Sequence, residues 1–149
     1  MAFIVRWLHV TAASFLFGGA LLIFVLLQLS KRREAGDRRL LGDLMRAYEW
    51  CAWASLGLMV ATGVGNLAHF GDGMPEPHSE WGKELTYKLA LVLIFIVFSG
   101  VRTMAVLTAF ASETATVTTR TLNSLRSLYG ATAVFVAGIV GMAVALAHF

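Results

Sequence analysis

The sequence has few cysteines and few charged residues, and each scarcity excludes a class of protein. Its one cysteine, Cys51, excludes an internal disulfide and any metal site built from several cysteines. Charged residues make up 14% of the chain, whereas about a quarter is usual in a soluble domain. The net charge is only +3, and the basic residues lie in short segments without interleaved aromatics, so no nucleic-acid partner is expected. Hydrophobic residues make up 58%, with a mean hydropathy of +0.72, which indicates a membrane protein.

Four long apolar segments follow one another along the chain, over about residues 3–29, 48–70, 85–110 and 128–149. Each approaches or exceeds the roughly 20 residues that a helix needs to cross the hydrocarbon layer. Backbone groups in lipid need partners within their own segment, so these segments are predicted to be helices. No long linker separates them. The sequence therefore predicts an all-α integral membrane protein, an up-down four-helix bundle forming a single transmembrane domain over residues 1–149.

Basic residues in the connecting segments predict the orientation of this bundle. The middle loop, "GDGMPEPHSEWGKE", is acidic and has Lys83 as its only lysine or arginine, whereas the first connection carries six such residues and the third carries two. Lysine and arginine of short loops stay on the cytoplasmic side. Both termini and the middle loop are therefore expected on the outer, periplasmic side of a bacterial-type inner (plasma) membrane. The first and third connections carry Lys31, Arg32, Arg33, Arg38, Arg39, Arg46, Arg120 and Arg126.

All four histidines fall on the outer side in this orientation. His9 lies inside the first apolar segment, roughly 6–9 Å below the interface at the rise of an α helix. Ionisable residues at such depth usually face the bundle interior and mark functional sites, although a histidine can also serve as interhelical hydrogen-bonding glue. His69 and His148 lie at the outer ends of the second and fourth segments, and His78 lies in the middle loop.

Imidazole at this position suggests a bound metal, because neutral histidine is a common ligand of both iron and copper. In a b-type haem site, His9 would be one axial ligand, and His69 or His148 would be the second. Lys88, about one turn into the third segment, would then pair with a haem propionate or a quinone. The adjacent glycines Gly18 and Gly19 would let a flat macrocycle approach the backbone.

Copper is the alternative cofactor, and it would use two or three of the four histidines. Met74 in the middle loop would be a soft additional ligand. The chain lacks a methionine-rich or cysteine-rich copper motif. The residues by themselves leave haem b and copper open.

Two further charges, Glu49 and Arg102, enter the apolar segments from the cytoplasmic side. A pair between the second and third helices would neutralise both, and we expect that pair to be structural rather than catalytic. Aromatic residues near the segment ends are expected to form an interfacial belt. They are Trp7, Trp50, Trp53, Trp81 and Tyr129.

Three stretches of the sequence resemble two related families of membrane proteins. "WLHVTAASFLFGGALL", "MVATGVGNL" and "YKLALVLIFIVFSGVR" are similar to the first three helices of the copper-resistance D (CopD) family and of the HemJ-type protoporphyrinogen oxidases. The resemblance implies a four-helix membrane fold in which His9 and Lys88 match a first-helix histidine and a third-helix lysine. In HemJ-like proteins these positions go with b-type haem and porphyrinogen oxidation. In CopD-like proteins the implied role is copper uptake or handling across the inner membrane.

Three functional hypotheses follow. The first is a small cytochrome b-like haem protein of electron transport, which would pass electrons between a quinone in the bilayer and an external partner. Such a protein would also suit the role of anchor subunit in a membrane redox complex, and it would then be part of an oxidoreductase. The second is a copper-handling membrane protein. The third is a metal-free structural subunit that packs against partner subunits through small residues.

Overall fold

A computed structural model describes residues 2–30, 35–67, 79–111 and 118–146 of the chain. These residues form four α helices: α1 (Ala2–Leu29), α2 (Ala35–Leu67), α3 (Glu80–Ala109) and α4 (Thr119–Leu146). Within these ranges there is no β strand. The prediction of an all-α bundle is confirmed.

Three of the four helices are long and apolar enough to cross a membrane. The candidate spans are Phe3–Leu29 in α1, Leu85–Ala109 in α3 and Thr119–Ala143 in α4. The chain is therefore a multi-pass membrane protein. α2 is not among these spans over its described residues.

Three helices begin earlier than hydropathy predicts. α2 begins at Ala35 rather than near residue 48, α3 at Glu80 rather than near 85, and α4 at Thr119 rather than near 128. Hydropathy reports contact with lipid, whereas a helix extends as far as its backbone hydrogen bonds and caps allow. At α3 the cap is Ser79, whose Oγ accepts a hydrogen bond from the Gly82 N–H at 3.0 Å.

The early start of α2 follows from a buried stripe that crosses the predicted boundary. Successive members of the stripe are three or four residues apart, the spacing of one helix face. The stripe runs from the charged first half of α2 into its apolar second half, so one continuous helix buries both. Its members are Leu41, Met45, Tyr48, Ala52 and Leu56.

α1 packs most extensively in the bundle, against α2 on one side and α4 on the other. Near the start of α1, His9 contacts Thr62 in the last part of α2. Near the end of α1, Gln28 accepts a hydrogen bond from Arg126 in the first part of α4. α1 is therefore antiparallel to both neighbours. The beginning of α1 and the ends of α2 and α4 share one end of the bundle, which we call the His9 end.

α3 completes the bundle and is also antiparallel to α2. The Arg46 guanidinium, near the start of α2, donates a hydrogen bond to the carbonyl of Phe110, just after the end of α3. α3 therefore begins at the His9 end. Its inward residues Phe95 and Val106 join a core that includes Leu16 of α1 and Val136 of α4.

Candidate functional site

His9 lies half-buried between α1 and α2, with its Nδ1 2.8 Å from the Thr62 hydroxyl oxygen. The same hydroxyl lies 2.7 Å from the carbonyl oxygen of Leu58, one turn earlier in α2. A hydroxyl has only one proton to donate. When Thr62 donates it to this carbonyl, the Thr62 oxygen accepts a hydrogen bond from His9, and Nδ1 carries the ring proton. In the neutral imidazole, Nε2 is left with the lone pair that binds a metal ion.

The surroundings of the imidazole are close-packed on the α2 side. A Cβ added at Gly63 would lie 3.8 Å from the His9 Cε1 atom, which is an ordinary van der Waals contact. Lys88, in the first part of α3, is half-buried and lies toward the same end of the bundle. Among the residues that the structure describes, no group of three or more histidine, cysteine, aspartate or glutamate side chains is arranged to hold a metal ion. The described residues therefore offer one imidazole, that of His9, as a candidate metal ligand.

The other predicted ligands, His69, His78, His148 and Met74, lie outside the described residues. His69 follows the last described residue of α2 by two positions, and His148 follows the last of α4 by two. Both of these helices end at the His9 end. The roles of these residues remain predictions.

Glu49 and Arg102, the two predicted intramembrane charges, are brought together by the structure. Arg102 Nε lies 2.8 Å from Glu49 Oε1, and Nη2 lies 3.0 Å from Oε2. The two residues are only 3% and 1% exposed. Two parallel hydrogen bonds of this kind are the strongest geometry available to an arginine and a carboxylate.

Hydroxyl groups from α3 and α4 complete the polar contacts of this pair. The Tyr129 hydroxyl lies 2.6 Å from one oxygen of the carboxylate, and the Thr103 hydroxyl lies 2.6 Å from the other. Arg102 Nη1 donates to Thr132 at 2.8 Å. We call Glu49, Arg102, Thr103, Tyr129 and Thr132 the ion-pair network. Each guanidinium nitrogen and each carboxylate oxygen has a hydrogen-bond partner, which is the condition under which buried charges are tolerated.

Two tyrosine rings enclose the guanidinium of Arg102. Its central carbon lies 5.6 Å from the ring centre of Tyr48 and 5.3 Å from that of Tyr129, within the range of cation–π attraction. The Tyr48 hydroxyl also donates to the Leu16 carbonyl at 2.9 Å. All four helices therefore meet at this arginine.

The expected belt position of Tyr129 is wrong, because this residue is fully buried. α4 begins at Thr119, so Tyr129 lies well inside the helix rather than at its start. Tyr48, Thr103 and Thr132 were not among the predicted site residues. Tyr48 and Thr103 directly adjoin Glu49 and Arg102 in the chain, and Thr132 lies about one helix turn after Tyr129 in α4.

The ion-pair network lies deep within the apolar length of the helices. Arg102 precedes the end of its candidate span at Ala109 by about two turns, or ~10 Å. Leu16, which bonds to Tyr48, lies at the middle of the span Phe3–Leu29. The network is therefore an intramembrane cluster, whereas the sequence placed Glu49 at the cytoplasmic entrance of the second helix.

Of the two adjacent glycines of α1, Gly19 lies in a close helix contact and Gly18 does not. A Cβ at Gly19 would lie 2.4 Å from Tyr48 Cε2, whereas a Cβ at Gly18 would meet nothing within 4 Å. Tyr48 of α2 therefore occupies the space beside Gly19.

Comparison with known proteins gives one family. Residues 42–146 match the family model described as "Copper resistance protein D" (CopD). The matched segment covers well over half of the chain and includes most of α2 and all of α3 and α4. α1 and His9 precede it. No curated protein and no solved structure matches the chain.

Proposed function

The chain belongs to the CopD family, and from this premise we propose that it handles copper ions within the membrane, with His9 as a ligand. The family name supports copper but gives no ligand. The matched segment begins after α1, so the role of His9 depends on its contacts. Copper is here the cargo rather than a resident catalytic group.

The hydrogen bond between His9 and Thr62 is the observation that carries this proposal. Metal-binding histidines characteristically donate their second ring N–H to an oxygen, which fixes the tautomer and the direction of the lone pair. Thr62 provides such an oxygen when its own proton is donated to the Leu58 carbonyl, which lies 2.7 Å away.

His69 and His148 are the residues that we propose to complete the site. Imidazole nitrogens suit copper in either oxidation state, and both histidines follow helices that end beside the start of α1. The charge of Lys88 opposes a bound cation at His9. We propose that this repulsion favours release, as a protein that passes copper onward requires.

Membership of the CopD family moves the proposal from haem b, the first hypothesis of the sequence analysis, to copper. No contact of His9 or Lys88 among the described residues favours a haem, a quinone or a partner subunit. We propose the bacterial-type inner membrane as the location, with the His9 end outward. This placement is supported by the basic residues of the first and third connections.

Copper binding by the protein purified in mild detergent tests the proposal. We expect bound copper at a stoichiometric level and its loss in His9→Ala. In Thr62→Val, affinity should fall by about 10–100-fold, the usual effect of losing a partner that orients a ligand. Thr11→Val is the matched control. Thr11 also bonds to a carbonyl of its own helix, that of Trp7 at 2.9 Å, but it is exposed and does not contact His9; affinity should not change.

An absorption spectrum and a metal analysis of the same sample separate the other hypotheses. A reduced-minus-oxidised α-band of b-type haem would restore the haem hypothesis. A colourless and metal-free sample that takes up no copper would leave the structural subunit. Copper bound equally well by His9→Ala would reject this site.

A further inference from the structure

α2 packs mainly against α1 and differs from the other three helices in two respects. It is the one helix of the described chain that does not qualify as a candidate span. It also carries Glu49, which is 3% exposed. The neighbouring Tyr48 donates a hydrogen bond to Leu16 at the middle of α1, so Glu49 lies at about the same depth. A carboxylate at such depth carries a large free-energy cost unless it is paired.

The groups that compensate this carboxylate come from the two later helices. Within the described residues, Glu49 accepts hydrogen bonds from Arg102 and Thr103 of α3 and from Tyr129 of α4. α1, the helix that precedes α2, donates none to it. The carboxylate of α2 therefore obtains these polar contacts only when α3 and α4 are packed against α2.

We propose that α2 becomes stably membrane-spanning only when α3 and α4 pack against it, and that Glu49 imposes this dependence. The ion-pair network then holds α2 in the assembled bundle. It joins the charged helix to the bundle in one register, because the two-pronged contact with Arg102 tolerates no shift along the helix axis. A helix of ordinary apolar composition in place of α2 would insert in any order and could slide.

The chain contains its own reporter for the position of α2. Cys51 is its one cysteine, it is exposed on the bundle surface, and it lies two residues after Glu49. When α2 spans the membrane, this thiol faces lipid. A membrane-impermeant maleimide, which reacts in water, should then not label it. When α2 remains at the interface, Cys51 meets water and reacts.

The experiment uses the full-length chain synthesised in a cell-free system with inverted inner-membrane vesicles, so that unstable variants are also recovered. Arg102→Leu leaves the carboxylate of α2 unpaired, and Cys51 should be labelled to the level of the detergent-denatured chain. Glu49→Leu removes the charge from α2, so Cys51 should stay protected although Arg102 is unpaired. The double variant Glu49→Leu/Arg102→Leu should also be protected. Val101→Leu, at a lipid-facing neighbour of Arg102 that is 58% exposed, is the control and should behave as the unmodified chain.

The expected difference in Cys51 labelling between Arg102→Leu and Glu49→Leu distinguishes the proposal from a general loss of folding. If both single variants expose Cys51, the pair stabilises the whole bundle and α2 has no special dependence. If Arg102→Leu leaves Cys51 protected, α2 spans the membrane without its partner. Labelling of the double variant would show that the charge of Glu49 is not the cause. Each of these three results overturns the proposal.

Discussion

Replacing Gly19 by alanine should destabilise the bundle, because the ring of Tyr48 fills the space beside this glycine. The new Cβ would lie 2.4 Å from Cε2 and 2.8 Å from Cδ2 of the ring. Carbon atoms in contact prefer about 3.5–4.0 Å, so the ring would have to move by about 1 Å or more. Tyr48 has little freedom to move. Its hydroxyl bonds to Leu16, and its ring contacts Phe15 and Tyr129.

The expected cost follows from these contacts. Overpacking of a close-packed interior costs about 1–3 kcal/mol. Displacement of the ring would also weaken the hydrogen bond from Tyr48 to Leu16, which contributes about 0.5–1.5 kcal/mol. Alanine gains up to about 1 kcal/mol of helix propensity over glycine. Gly18→Ala gains the same propensity and meets nothing within 4 Å. The difference between these two variants therefore isolates the clash, and we expect about 1–3 kcal/mol.

Unfolding by SDS in mixed micelles, followed by far-UV circular dichroism, measures this difference. Gly18→Ala should match or slightly exceed the stability of the unmodified chain, and Gly19→Ala should unfold at a lower SDS fraction. In a Tyr48→Leu background, the penalty of Gly19→Ala should shrink, because the ring that causes the clash is gone. Equal stability of Gly18→Ala and Gly19→Ala would refute the packing of Tyr48 against Gly19.

Two further predictions concern the same assay. Tyr129→Phe removes a hydrogen bond to a buried carboxylate and should cost about 1.5–3 kcal/mol, whereas Tyr87→Phe, at a residue that is 68% exposed, should be neutral; equal effects would argue against the network. Gly42→Ala places a Cβ 2.6 Å from the Phe110 ring and should cost about 1–3 kcal/mol. Gly57→Ala meets nothing within 4 Å and is its control; a neutral Gly42→Ala would contradict the close approach of α2 to the end of α3.

Hydropathy was sufficient to predict the class of fold, because lipid leaves the backbone few alternatives. Runs of about 20 apolar residues must be helices, and α1, α3 and α4 follow this rule. The same reasoning failed at the beginning of α2. The segment from Ala35 to Tyr48 is charged, and its helix is stabilised by a buried face that includes Leu41 and Met45. A hydropathy profile averages this apolar face with the charged face and so does not detect it.

The candidate site divides in a similar way. His9 stands out in the sequence because ionisable side chains are rare and costly within membrane-spanning segments. Its tautomer, however, depends on Thr62, which lies 53 positions away in the chain. No local pattern marks this threonine, since threonines that bond to their own helix are common in membrane segments.

The sequence by itself determined that the chain is a helical membrane protein, and that His9, Glu49 and Arg102 need partners. Both conclusions follow from the cost of exposing polar groups to lipid, which depends on composition alone. Only the tertiary structure decided which partners these are: Thr62 for the imidazole, and the hydroxyls of Tyr129, Thr103 and Thr132 for the ion pair. Hydrogen bonds between helices depend on rotation and register, and these are set by packing, such as that of Tyr48 against Gly19.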